Sequence, residues 1–151
     1  MTSSGVEEFG TRPGDTFVEK FGRNQRVASG TPEDIWDGGG IYDFPDVASI
    51  LDIQSDSVED NPSGTGATDI GIQGLDENYE LQTEIVELNG TTTVNTTKKF
   101  LRVFRSAVRN AGSSGTNVGN ITLDSQEEVL TMAQITALTG QTNMALYTIP
   151  R

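Results

Sequence analysis

The sequence predicts an all-β fold: an antiparallel sandwich or jelly-roll-like body behind an extended, largely irregular N-terminal arm. Three observations carry this. Short apolar-rich runs recur at close spacing after Ala48, clusters of Gly, Asn, Ser and Thr separate them, and no strand pattern alternates with a long helical one. The 17 glycines among 151 residues suit turns better than helices.

The arm is residues 1–45. It holds three of the five prolines and eight of the glycines, and its apolar residues show neither a period of 2 nor one of 3.6. It also carries six of the ten aromatic residues: Phe9, Phe17, Phe21, Trp36, Tyr42 and Phe44. A solvated polar tail lacks aromatics, so this segment is expected to dock them on a surface, either of its own body or of a neighbour. Within it, Thr31 is placed to cap a short helical turn begun by Pro32, Glu33 and Asp34. Gly38, Gly39 and Gly40 then permit a sharp redirection beside Trp36.

The body is residues 46–151, with about seven strands. Ser49–Ile53 is the first and Thr68–Ile72 the second, with a loop at Asn61–Gly66. Tyr79, Leu81, Thr83 and Ile85 alternate with polar residues, the pattern of a half-buried strand. Asn89-Gly90 then sits where a tight hairpin turn would return the chain along Thr91–Thr96. Phe100–Val108 is apolar on both faces and is expected to be central or at an interface. Ile121 and Leu123 mark a short strand, and Met144–Ile149 a last one. Val129–Leu138 fits two helical turns and a strand equally well.

Composition narrows the chemistry. There is no cysteine and no histidine, which removes disulfides, thiolate metal sites and any Ser-His-Asp or Cys-His arrangement within the chain. The glycine clusters lack the residues of a phosphate-binding loop. Asp56, Glu59, Asp60 and Asn61 read as a solvated acidic loop without the spacing of a calcium site. Paired carboxylates are unavoidable among 22 acidic residues and are no evidence for glycoside hydrolysis. No cofactor, no metal and no catalytic residue is expected. No run approaches a membrane span or a secretory leader, so the expectation is a chain made in the cytoplasm, with no membrane partner.

Net charge is −12, and its distribution is uneven. Fifteen acidic and no basic residues lie between Arg26 and Lys98; Lys98, Lys99, Arg102, Arg105 and Arg109 then follow within one short segment. The acidic bulk disfavours nucleic acid, while the asymmetry fits subunits that meet acidic face to basic strand. The expected partner-binding residues are Phe17, Phe21, Trp36, Tyr42, Phe44, Arg102 and Arg105. A thin core and the doubly apolar strand point to a homo-oligomer, with a trimer as one option, or to binding on a larger shell.

The run Lys20-Phe21-Gly22-Arg23-Asn24 followed by Gly30-Thr31-Pro32-Glu33-Asp34-Ile35-Trp36-Asp37-Gly38-Gly39-Gly40 resembles small uncharacterised virion proteins of tailed bacteriophages, many of them marine or aquatic. The similarity extends through Gly74–Asp76, Leu88–Thr92, Phe100–Arg102, Ala111–Asn117 and Met144–Pro150. The resemblance implies a virion location and other virion proteins as partners, and it brings no catalytic residues. It leads to the expectation of a capsid decoration or cement protein, or the base of a head fibre. The alternatives are a neck, tail or baseplate component and, from another class, a carbohydrate-binding module.

Overall fold

A computed structural model describes residues 19–150. Among them there is no helix, and seven strands form two antiparallel sheets. The strands are β1 Leu51–Ser55, β2 Ala67–Leu75, β3 Leu81–Glu87, β4 Val94–Asn95, β5 Arg102–Ala111, β6 Ile121–Ser125 and β7 Thr131–Ile135. One sheet runs β4-β1-β6-β7 and the other β3-β2-β5.

Both sheets bury one face in a common core. Leu51 and Ile53 of β1 and Ile121 and Leu123 of β6 alternate inward, with Met132, Ala133 and Ile135 of β7 beside them. The second sheet supplies Ile70, Ile72, Val86 and Val103. Each large aliphatic side chain so buried stabilises the fold by about 1.5–3 kcal/mol. Phe100, fully buried, closes one end, where its backbone pairs with Ser49. Trp36 and Tyr42 belong to the same core, so the packing runs without a break from residues 36–42 into the body.

Several elements differ from the sequence expectation, each for a local reason. The residues Pro32–Asp34 form no helical turn: the Asp34 carboxylate accepts from the Tyr42 amide at 2.7 Å and the Asp34 amide donates to the Gly40 carbonyl at 2.9 Å. Asn89-Gly90 joins no hairpin. The Gly90 amide donates to the Asp60 carbonyl at 2.7 Å and its carbonyl accepts from the Ser55 amide at 3.1 Å, so the chain crosses between sheets and Thr91–Thr96 yields only β4, paired with β1. The hairpin is instead β2–β3, closed by Asp76, whose Oδ1 accepts from the amides of Asn78 and Glu80. Tyr79 sits in that turn at φ 64°, not in the strand. β5 lies at the edge of its sheet, beside central β2, and its far side is covered by a bridge from Ala107 to Gln141. Met144–Ile149 forms no strand, whereas the ambiguous Val129–Leu138 segment contains β7.

The loop expected to be a solvated acidic one holds a fully buried carboxylate. Asp60 Oδ1 accepts from the amides of Ala67 and Val118, both at 2.8 Å. Its Oδ2 accepts from the Ser55 hydroxyl at 2.6 Å and the Gly119 amide at 2.9 Å. These donors stand at the end of β1, the start of β2 and the approach to β6, so one side chain ties the two sheets together. Gly66 makes room for it: a Cβ there would lie 2.1 Å from Asp60 Oδ1.

Removing that carboxylate would orphan three amides around it, at a cost of about 1–3 kcal/mol for each that stays buried. Urea denaturation should therefore show Asp60→Ala destabilised by about 3 kcal/mol or more. Glu87→Gln, on the exposed rim of β3, should stay within about 0.5 kcal/mol of the parent. Equal effects would mean that Asp60 does not organise the fold.

Candidate interaction face

The structure separates the expected partner-binding residues into three groups. Phe17 lies outside the described residues. Trp36 and Tyr42 are buried, at 7% and 5% exposure, and serve the core. Their rings meet edge to face at 5.1 Å, and Tyr42 meets Phe44 the same way at 4.9 Å. The Tyr42 hydroxyl donates to the Met132 carbonyl at 2.9 Å, satisfying a β7 backbone group. Phe44 is half-exposed, with the Arg102 guanidinium 5.4 Å above its ring. Arg102 also donates to the carbonyls of Pro45 and Leu101, which fixes it as an internal clamp.

The corner between them is built by the glycines and by Glu33. Gly39 and Gly40 take φ of 70°, and a Cβ on Gly38 would collide with the Trp36 indole at 2.2 Å. Glu33 accepts from the Ala28 amide, the Asn24 side-chain amide and the Gly40 amide, and these donors, the Ala28 amide foremost, hold its carboxyl below the usual range. With its folded value lowered, this contribution is present above the ordinary carboxylate range and fades as pH falls through the folded value. Asp37 anchors the corner to the C-terminal segment by accepting from the Asn143 amide at 2.8 Å, with Arg23 3.7 Å away.

The third group, Phe21 and Arg105, leads to a face that the strand pattern alone does not reveal. Along β3 it is the odd-numbered residues that point outward: Leu81 is 67% exposed and Ile85 60% exposed, while Val86 is buried. Gly71 of β2 pairs with Ile85 and with Ala107 of β5, and Gln73 pairs with Thr83 and with Arg105. With no side chain on Gly71 and only a methyl on Ala107, the middle of the sheet is a shallow open groove. Arg109 reaches over it, its Cδ 2.9 Å from where a Gly71 Cβ would be. The register shifts opposite Gln73, so Phe104 is left without a strand partner and lines the groove's end under Tyr147, ring centroids 4.5 Å apart.

The arginines of this face make no ion pair among the described residues, and the carboxylates that share the face, Asp69 and Glu87, pair with each other in register at its end. Arg105 donates to the Gln141 side chain at 2.6 Å, and among the described residues no carboxylate lies within 4 Å of Arg105 or Arg109. Lys20, half-buried beside Arg105, donates to the Phe104 carbonyl. Burial first, and the neighbouring Arg105 second, hold its ammonium below the usual lysine value. Phe21 is exposed at the same margin, lining a recess with Lys20, Phe104 and Arg105. The opposite face, outside β1 and β6, is acidic and internally bonded: Asp52 accepts from Asn95 and Gln126, and Asp124 from Thr131.

The backbone edge of β3 is half-guarded. The Leu88 amide donates to the Thr68 carbonyl, and with the antiparallel alternation this turns the odd-numbered backbone groups of β3 away from β2. Lys98 covers one of them, the Thr83 carbonyl, while Glu84 accepts from the amides of Thr97 and Lys98. Side chains at an edge in this manner oppose uncontrolled strand addition, which leaves the flat of the sheet as the accessible surface. The described residues contain no group of three or more acidic side chains placed to hold a metal ion.

The buried tyrosine gives a direct test of the corner. Desolvation pushes the Tyr42 hydroxyl up to about 12, with Arg102 acting weakly in the opposite sense. A raised folded value means that the contribution is intact below the unfolded value near 10 and is lost as pH climbs through about 12. Stability should fall by about 2–3 kcal/mol across that window, and Tyr42→Phe should lack this part of the alkaline decline. Trp36→Ala should cost about 3–5 kcal/mol, and deleting residues 1–45 should open the core; a deletion variant as stable as the full chain would show that the corner is dispensable.

Comparison with known protein families, curated proteins and solved structures finds no match to the chain, so the functional reading rests on the residues themselves.

Proposed function

We propose that the chain is a structural subunit of a tailed-phage virion, a capsid decoration or cement protein or the base of a head fibre, that works by binding neighbouring subunits. The observation that carries a binding role is the outer face of β3-β2-β5. Leu81 and Ile85 stand largely in solvent beside arginines that lack a described counter-ion, on a sheet whose other side is core. Exposed apolar side chains grouped with arginine are the composition of an interface centre. The virion setting is supported by the resemblance of the Lys20–Asn24 and Gly30–Gly40 runs to small phage virion proteins. A two-layer sandwich with a lateral binding face suits a subunit that sits on a shell.

The test uses purified particles. Quantitative mass spectrometry should find the chain in the virion at a copy number matched to capsid subunits rather than to the few copies of a tail structure. The variant Leu81→Glu/Ile85→Glu should fold normally yet enter particles at least tenfold less. Absence of the chain from purified virions, or unchanged uptake of the variant, would overturn the reading.

A further inference from the structure

We propose that Lys20 is a modification site: its amine, held beside Arg105 in a recess against β5, is the lysine side chain of this protein that takes an acyl group from an acyl phosphate. This goes beyond the assembly reading and does not depend on it.

The recess lies between residues 19–21, Phe104 and Arg105 of β5, and residues 141–144. Lys20 is half-buried in its wall, and its Nζ donates to the Phe104 carbonyl. That bond fixes the nitrogen in place. Once the ammonium has lost a proton, one N–H suffices to keep the bond, and the lone pair is free for an electrophile. Burial and the neighbouring Arg105 charge both favour that neutral form, the one that attacks. Arg105 commits one of its five N–H groups to the Gln141 side chain, at 2.6 Å. The remaining donors match the geometry of a phosphate group. Glu19 is the other charged residue lining the recess, and it is exposed and makes no ion pair with Lys20 or Arg105 within 4 Å.

These groups suit an electrophile that carries its own negative charge. With the phosphate of an acyl phosphate on the Arg105 guanidinium, the Lys20 nitrogen attacks the acyl carbonyl carbon. The N–C bond forms and the bond from that carbon to the phosphate oxygen breaks. Phosphate leaves with the electron pair, and the nitrogen gives its extra proton to solvent. The product is an amide on Lys20 with one positive charge fewer in the recess, and nothing is oxidised or reduced.

The chain supplies its own standards, since its other two lysines are exposed. Lys98 bonds to the Thr83 carbonyl, and Lys99 faces Glu127 at 3.9 Å. The full chain is treated with acetyl phosphate near neutral pH, and the initial acetylation rate at each lysine is read by peptide mass spectrometry. Lys20 should react at least fivefold faster than Lys98 or Lys99. Arg105→Gln, at an outward position, should leave the thermal melt unchanged. It should slow Lys20 at least threefold and leave Lys98 and Lys99 as they were. With an uncharged acetylating ester the same variant should slow Lys20 less, because no phosphate then needs holding. A Lys20 no faster than the other two, or an Arg105→Gln variant that slows all three alike or none, would overturn the site. Equal slowing of Lys20 with both reagents would overturn the assignment of an acyl phosphate.

Discussion

The fold depends on one buried carboxylate. Asp60 is held at the point where β1 ends, β2 begins and the chain approaches β6. In an all-β protein of this size the sheets contribute burial, but the loops between them must find partners for backbone groups that no ladder satisfies. Asp60 supplies acceptors for three such amides and one hydroxyl, and its own carbonyl accepts from Gly90, where the chain changes sheets. The glycine at position 66 is a consequence of how closely the backbone wraps this group, while the sheet-crossing Gly90 takes a φ of 58° against the Val58 backbone.

A second constraint is the shortage of apolar residues, 34% of the chain. The body alone does not fill the space between its sheets, and Trp36 and Tyr42 complete it. The corner that delivers them is therefore structural, and the C-terminal segment is stitched to it by Asn143 and by the Ala145 amide, which donates to the Ile35 carbonyl. With the corner committed inward, the outer face of the smaller sheet is where exposed apolar side chains and arginines meet. The protein thus presents two unlike faces: one acidic and bonded within itself, one that mixes apolar side chains and arginines with Asp69 and Glu87 at its end.

The all-β class and most strand positions are legible in the sequence because period-2 runs and glycine-rich turns are local signals; the count of about seven agrees only because Thr131–Ile135 forms a strand and Met144–Ile149 does not. What is not legible depends on which side of a strand the core lies. The alternation of Leu81, Thr83 and Ile85 is plain, but period alone does not say which face is buried. Here the inward positions include Gln82 and Glu84, whose side chains bond to the backbone of residues 97–99. Likewise Asn89-Gly90 has the composition of a hairpin turn, and only the distant Asp60 carbonyl diverts it. Of the expected binding residues, Arg105 lies on the outer face and Phe21 at its margin, whereas Trp36, Tyr42 and Arg102 are held within the fold. Sequence reasoning misses Leu81 and Ile85 as surface residues; Arg109 stands in the basic segment that the sequence singles out, though not among the named binding residues.

The strand order also sets a schedule for synthesis. β1 leaves the ribosome early, yet its full-length neighbour β6 follows only after β2 to β5, and Tyr42 waits 90 residues for the Met132 carbonyl. At roughly 5–20 residues per second Tyr42 waits about 4–18 s. Leu51 and Ile53 wait roughly 70 residues for Ser125 and Leu123, about 4–15 s at the same rate, with only the two-residue β4 as an earlier sheet partner. The β2–β3 hairpin, by contrast, closes as soon as it emerges. Nascent chains thus spend seconds with half a sheet in hand, and the high negative charge that keeps them apart protects the folding chain before it has any surface to offer a partner.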